Sequence, residues 1–248
     1  MSNTVVIIPS RLKAERLPNK PLKLINKKEM ILHVYETAIK AKIGEVFVAT
    51  PDREIADIIE SHGGKATITN KNHQTGTDRI FEVFQKELKS EPEFIVNLQG
   101  DMPNLNPLVI HNLIEHMKKK TCDIGTLASK LSNLELNDSN VVKVITSKNI
   151  EKEKEFSNAL DFFRASKNSG TNSTYHHIGI YAFTNKALIR YVSLKRSKLE
   201  LERKLEQLRA LENKMSIHVG YIKSPPLSVD TEEDLIEVKN LMEKNEKN

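Results

Sequence analysis

A chain of 248 residues is long enough to bury a large α/β core, and 38% hydrophobic with 29% charged residues excludes a disordered polypeptide. No run approaches the ~20 apolar residues of a membrane span, and the one cysteine, Cys122, excludes an internal disulfide and fits a reducing compartment. The net charge of +5 suits an anionic partner, but the lack of Trp and only 5% aromatic residues weigh against a nucleic-acid interface.

The elements alternate along the first half. Val5 to Ile8 is a short apolar run ended by Pro9, which predicts a buried strand. It has no long apolar core before a cleavage site, so no signal peptide is expected. A basic loop follows from Ser10 to Lys23. The spacing of Ile31, Val34, Tyr35, Ala38 and Ile39 predicts a helix over 31–42. A strand over 45–50 stops at Pro51, a helix over 53–62 ends at Gly63-Gly64, and a short strand spans 66–69. A helix over 78–88, a strand over 94–98 and a helix over 107–119 complete a βαβαβ rhythm. Such a rhythm implies a mostly parallel sheet with helices on both faces.

The second half is less regular. Strands are expected over 141–145, 178–183 and 217–222, with an Asn/Ser-rich loop from Lys167 to Thr174. Leu194 to Asn213 carries Leu199, Leu201, Leu205, Leu208 and Leu211 and predicts one long amphipathic helix. A closing helix is expected over 232–242. The expected organisation is one domain, 1–248, with an insertion over about 144–213 serving as a substrate lobe or dimer contact.

Four segments carry candidate chemistry. The loop after the first strand packs Arg11, Lys13, Arg16 and Lys20 into ten positions, where a parallel sheet binds its ligands. With no glycine-rich phosphate loop, side-chain cations would hold phosphates, or the loop is a solvated basic surface. Asp101 follows a buried strand and Gly100, where it would hold a hard cation or cap a turn. Asp230 stands at the corner before the last helix. It would be a second carboxylate or, with Thr231, Glu233 and Asp234, part of a capping box. His73 to Arg79 forms a polar turn around Gly76 that would read a nucleobase edge, or an ordinary helix start capped by Thr77.

Taken in order, IIPSRLKAERLPNKPL, HVYETA, VFVAT, HQTGTDR, VNLQGDMP, VVKV, HIGIYAF, LEQLR and VDTEEDL resemble the 3-deoxy-manno-octulosonate cytidylyltransferases over nearly the whole chain. The resemblance implies a Rossmann-like, GT-A-like three-layer α/β/α fold with a mixed sheet and an inserted substrate and dimerisation lobe. It implies transfer of CMP from CTP to the 2-hydroxyl of the sugar acid Kdo, with Mg²⁺ as cofactor. Arg11 and Lys20 match triphosphate-binding cations, with Arg16 nearby, and Asp101 and Asp230 match the metal ligands. Thr75, Gly76 and Arg79 match the segment facing the cytosine. Gln99, Arg164, His177, Tyr181, Glu206 and Gln207 match the sugar-acid pocket. A homodimer in a Gram-negative cytoplasm is implied as well.

Some positions depart from the pattern. Met102 stands where Glu is usual, Ser166 to Gly170 replaces a proline-containing segment, and Lys198 and Glu232 replace prolines. The competing readings are a cytidylyltransferase for another acidic sugar, such as a sialic-acid-like nonulosonate, and a nucleotide-binding regulator without catalysis. The segments around His177 and LEQLR favour Kdo, and retention of both Asp101 and Asp230 favours catalysis.

Overall fold

The computed structural model describes residues 3–13, 16–89, 91–164 and 173–246, without the side chains of 245 and 246. In chain order, β1 (Thr4–Pro9) leads through a basic loop and a single 3₁₀ turn (Lys20–Leu22) to the small hairpin β2 (Leu24–Ile25) and β3 (Lys28–Glu29). Then come α1 (Met30–Lys40), β4 (Glu45–Thr50), α2 (Arg53–Ser61), β5 (Lys65–Ile68), α3 (Gly76–Lys86), β6 (Phe94–Leu98) and α4 (Pro107–Lys119). The second half holds β7 (Ile124–Lys130), α5 (Asn133–Leu136), β8 (Lys143–Thr146), β9 (Phe156–Phe163), β10 (Thr174–Thr184), α6 (Asn185–Ser193), α7 (Lys198–Arg203), α8 (Leu208–Glu212), β11 (Ile217–Tyr221) and α9 (Glu232–Glu246).

The chain divides into two compact units, residues 1–111 with 226–248, and residues 112–225. In the first, β5, β4, β1 and β6 lie side by side and all parallel. Val5, Val6, Ile7 and Ile8 are all buried, as a parallel strand covered on both faces requires. The helices bury one stripe each: α2 turns Ile55, Ala56 and Ile59 inward, and Gly63 takes a φ of 72° to end it. The C-terminal segment returns to this unit. Val229, Leu235 and Val238 share a buried cluster with Leu17, Ile25 and Met30, which fastens the basic loop and the last helix to one core.

The second unit is antiparallel apart from the β7–β11 pair. Its order is β10-β7-β11-β9-β8, and β8 also pairs with β10, so the five strands close on themselves. Strands β7 and β9 and helix α6 lie outside the elements expected from sequence. Gly125, Ser129, Ser157 and Asn158 dilute the apolar pattern of the two strands, whose burial comes from packing against neighbours.

The long helix expected over 194–213 is instead two short ones. Lys204 has a φ of 54°, and α7 and α8 fold back on each other. The cause is a buried ion pair. Glu200 turns inward and accepts from Arg209 Nε at 2.9 Å and Nη2 at 2.7 Å, with both side chains at most 3% exposed. Leucine spacing alone does not show that a glutamate is the innermost residue of α7. Among the described residues no helix is long and apolar enough to cross a membrane.

Candidate nucleotide and metal site

The C-terminal ends of β1 and β6 and the N-terminus of α3 enclose a cleft of about 280 Å³ within the first unit. Its lining includes Ser10, Arg11, Lys13, Lys20, His73, Thr75, Gly76, Arg79, Gln99 and Asp101. The position follows from topology, since parallel strands leave their connecting loops at one edge. Ser10 N is held by the Ala49 carbonyl at 2.9 Å and Leu12 N by Asp52 at 2.8 Å, which steers the basic loop over the strand ends.

Lys20 enters through the left-handed turn at Asn19 (φ 55°), a conformation asparagine tolerates. Its Nζ lies 3.0 Å from Asp101 Oδ2 and 3.1 Å from Asp230 Oδ1, and Arg16 Nη2 lies 3.0 Å from Asp230 Oδ2. The two carboxylate oxygens are therefore within about 6 Å of each other. Burial alone would lower the Lys20 pKa, but the Asp101 and Asp230 charges and hydrogen bonds outweigh it and raise it above the usual value.

One backbone bond brings the two aspartates together: Val229 N donates to the Asp101 carbonyl at 2.9 Å, and Asp230 is the next residue. The cap of α9 is made without the Asp230 carboxylate. Thr231 Oγ1 accepts from Asp234 N at 3.2 Å, and Asp234 Oδ2 accepts from the Thr231 and Asp230 amides at 2.8 and 2.9 Å. Asp230 is thus left to face Lys20 and Arg16. Two carboxylates converging on one cation position make a donor set that fits Mg²⁺, which takes one or two protein carboxylates plus phosphate and water.

Helix α3 starts two residues earlier than a Thr77 cap would place it. Thr75 Oγ1 caps it by accepting from Asp78 N at 3.1 Å, whereas Thr77 is buried and its hydroxyl accepts from Asn97 Nδ2 at 3.2 Å. Asn97 Oδ1 in turn accepts from Gln99 Nε2 at 2.9 Å, so a buried side chain of β6 fixes how Gln99 presents its amide to the cleft. A Cβ on Gly76 would stand 3.3 Å from Pro9 and 3.7 Å from Gln99, so glycine keeps the turn close to the strand end.

Arg79 is 3% exposed and donates to the Thr69 hydroxyl and to the Asn70 carbonyl at 3.0 Å. Burial, and then the charge of Arg11, lower its pKa, which marks a cleft already rich in positive charge. His73 bonds Glu82, which also accepts from Asn70 N at 2.9 Å and from Lys86. These contacts brace the turn leading to Thr75. Sequence reasoning placed His73 in the polar turn and Asn97 in the strand before Asp101 but gave neither this supporting role, and it did not single out Glu82.

The other expected sugar-pocket residues lie in the second unit. His177 and Tyr181 stand on β10 with ring centroids 5.5 Å apart. A β-bulge between Ile178 and Tyr181 interrupts the pairing with β7. The Thr126 hydroxyl donates to the Ile180 carbonyl at 2.7 Å, so it accepts from His177 Nε2 at 2.9 Å and fixes the tautomer. Burial, and then the charge of His176, push the His177 pKa down to about 3 and keep the imidazole neutral.

Burial raises the Tyr181 pKa well above the usual value. The Glu206 charge adds to this and Arg164 opposes it, so these three side chains share one electrostatic neighbourhood. Arg164 Nη1 donates to the Ser139 and Asn140 carbonyls at 3.3 and 2.8 Å. Glu206 and Gln207 are in the turn before α8 rather than within a helix, and Gln207 is buried. Tyr191 holds that turn by donating to the Glu206 carbonyl at 2.8 Å. Lys143, fully buried, donates to the carbonyls of Asp138, Val141 and Arg164. A lysine inside the apolar run Val141–Ile145 was the sequence signal for such a role. The departure at Ser166 to Gly170 lies outside the described residues.

The cytidylyltransferase family model matches residues 5–217. A 3-deoxy-manno-octulosonate cytidylyltransferase of Rhodopseudomonas palustris is 45% identical over 236 residues, covering 94% of this chain and 95% of that protein. The solved structure of CMP:2-keto-3-deoxy-manno-octonic acid synthetase complexed with CTP is 34% identical with a TM-score of 0.87, covering 98% and 99% of the two chains. A 4-diphosphocytidyl-2C-methyl-D-erythritol synthase from Anaerococcus prevotii, 15% identical with a TM-score of 0.63 over 97% and 98%, shares the fold alone. With its paired aspartates, its cationic cleft and these relatives, the chain belongs to the 3-deoxy-manno-octulosonate cytidylyltransferase family.

Proposed function

We infer that this chain transfers CMP from CTP to 3-deoxy-D-manno-octulosonate (Kdo), giving CMP-Kdo and pyrophosphate for lipopolysaccharide biosynthesis. The 2-hydroxyl of Kdo attacks the α-phosphorus of CTP. A sugar oxygen–phosphorus bond forms, the bond to the oxygen bridging the α- and β-phosphates breaks, and the hydroxyl proton passes to solvent. Such a reaction needs alignment and charge neutralisation more than covalent help from the protein.

The observation that carries the reading is Lys20 between Asp101 and Asp230 at the mouth of a cleft lined by Arg11 and Arg79. Arg11, Arg16 and Lys20 hold the triphosphate, and Thr75, Gly76 and Arg79 face the base. Asp101 and Asp230 hold Mg²⁺, which when bound polarises phosphate oxygens and makes the attacking hydroxyl more acidic. Gln99, Arg164, His177, Tyr181, Glu206 and Gln207 bind the sugar acid, with the Arg164 guanidinium suited to its carboxylate. The GT-A-like description with an inserted lobe, the homodimer and the cytoplasmic location belong to this same reading and rest on the family resemblance.

Pyrophosphate release with CTP, Mg²⁺ and Kdo tests it, beside reactions without Kdo, with N-acetylneuraminic acid in its place, or with Mg²⁺ chelated. Release only with Kdo and metal is expected. Release only with the other acid overturns the acceptor, and full release after chelation removes Mg²⁺. Sedimentation velocity checks the dimer.

A further inference from the structure

Within the 112–225 unit lies a second set of metal-ligating side chains, of different chemistry from the aspartate pair. His116 and Met117 are on the last turn of α4, Cys122 lies just before β7, and His218 is on β11. The parallel register pairs His218 with Gly125, which sets its imidazole level with the start of β7. The ligand atoms of His116, Cys122 and His218 all lie within 4.8 Å of one another. His116 Nε2 and His218 Nδ1 face each other at 2.8 Å, and Cys122 Sγ is 3.2 Å from Met117 Sδ.

We propose that His116, Cys122 and His218, with the Met117 thioether beside them, bind one sulfur-preferring d¹⁰ metal ion, Zn²⁺ or Cu⁺. Tetrahedral Zn–N and Zn–S bonds place ligand atoms roughly 3.3–3.8 Å apart, so the cluster closes on an ion with side-chain shifts of about 1 Å. One of the two facing nitrogens carries a proton in the neutral pair; on binding, that proton moves to the other nitrogen of the same ring and leaves both facing lone pairs to the ion. Thiolate, thioether and imidazole together select Zn²⁺ or Cu⁺ over Mg²⁺, whereas the Asp101–Asp230 pair offers only oxygen.

The surroundings hold the ligands in place. The Phe156 ring stacks on His116, with centroids 3.6 Å apart and planes 5° from parallel. Gly220 makes room for that ring, since a Cβ there would meet it at 2.5 Å. Burial, followed by the charges of His218 and Lys120, pushes the His116 pKa down to about 4, and burial and Lys120 lower that of His218. Both imidazoles are therefore neutral ligands at neutral pH. Burial and Asp123 push the Cys122 thiol up to about 11, so the ion must displace its proton, as a coordinating metal does. Lys120 opposes a bound cation and Asp123 favours it.

Titrating the chelator-stripped, full-length chain with Co²⁺, a spectroscopic substitute for Zn²⁺, tests the site. One equivalent giving sulfur-to-cobalt charge-transfer absorption is expected, removed by adding Zn²⁺ or Cu⁺. The absorption should vanish in Cys122→Ser and persist in Asp101→Asn, which separates this site from the carboxylate pair. One equivalent of Zn²⁺ should also raise the unfolding midpoint of the stripped chain, but not those of Cys122→Ser and His218→Gln. No such absorption in the wild-type chain, or undiminished absorption in Cys122→Ser, overturns the proposal.

Discussion

Lys20 and Asp101 stand 3.0 Å apart across 81 residues of sequence, and the same ammonium reaches Asp230 at 3.1 Å. The lysine thus shields two carboxylates that would otherwise repel each other, and it lines the cleft beside Arg11 and Arg79. Lys20→Met is expected to lower kcat/KM by about 10²–10³-fold, the scale for losing one preorganised electrostatic contact. Asp101→Ala and Asp230→Ala are each expected to abolish turnover while circular dichroism stays unchanged. An active Asp230→Ala enzyme would remove that residue from the metal site, since the α9 cap does not use its side chain.

Arg164 has its backbone carbonyl held by the buried Lys143 and its guanidinium on the Ser139 and Asn140 carbonyls. Arg164→Ala should raise KM for Kdo about 10–100-fold, the loss of one charge-assisted contact, with CTP affinity nearly unchanged. Lys143→Met should shift the Kdo KM in the same direction, because three carbonyls lose their donor and the loop holding Arg164 loosens. Equal effects on both substrates, read from initial rates, would count against both assignments.

The Glu200–Arg209 pair is a matter of stability rather than chemistry. Both side chains are almost fully buried, so Glu200→Ala strands a guanidinium and should cost about 3–5 kcal/mol. Urea unfolding measures it. Burial alone would raise the Glu200 pKa, but Arg209 and Arg196 lower it overall. Its contribution is therefore present above the ordinary carboxylate range and is lost as pH falls below about 4.5.

Glu82 gives a second acid-sensitive point, this one beside the nucleotide cleft. Burial would raise its pKa, yet hydrogen bonds from Lys86, His73 and the Asn70 amide bring it down to about 2. Its stabilisation is complete above about 4.5 and is lost between there and about 2. Glu82→Gln should be less stable than the wild-type chain at pH 7, with the two stability curves converging toward pH 2. It should also weaken CTP binding several-fold by calorimetry, because His73 and the turn before Thr75 lose their brace.

What was legible in the sequence is the local part. The strands at 45–50 and 94–98 and the helix at 107–119 have the observed boundaries, because continuous apolar runs and turn residues are signals a short segment carries by itself. The basic loop, Asp101 and the corner at Asp230 were legible as separate candidates, each with a plain alternative. Only the tertiary structure shows these separate candidates to be neighbours. The Val229–Asp101 backbone bond and the cluster joining Leu17 to Val229 bring Arg16, Lys20, Asp101 and Asp230 together, and contacts across such separations leave no periodic trace. The inward turn of Glu200 toward Arg209 likewise breaks a leucine pattern that reads as one helix. Periodicity records which face of a segment is apolar, while the partner a buried charge will find depends on where the rest of the chain packs.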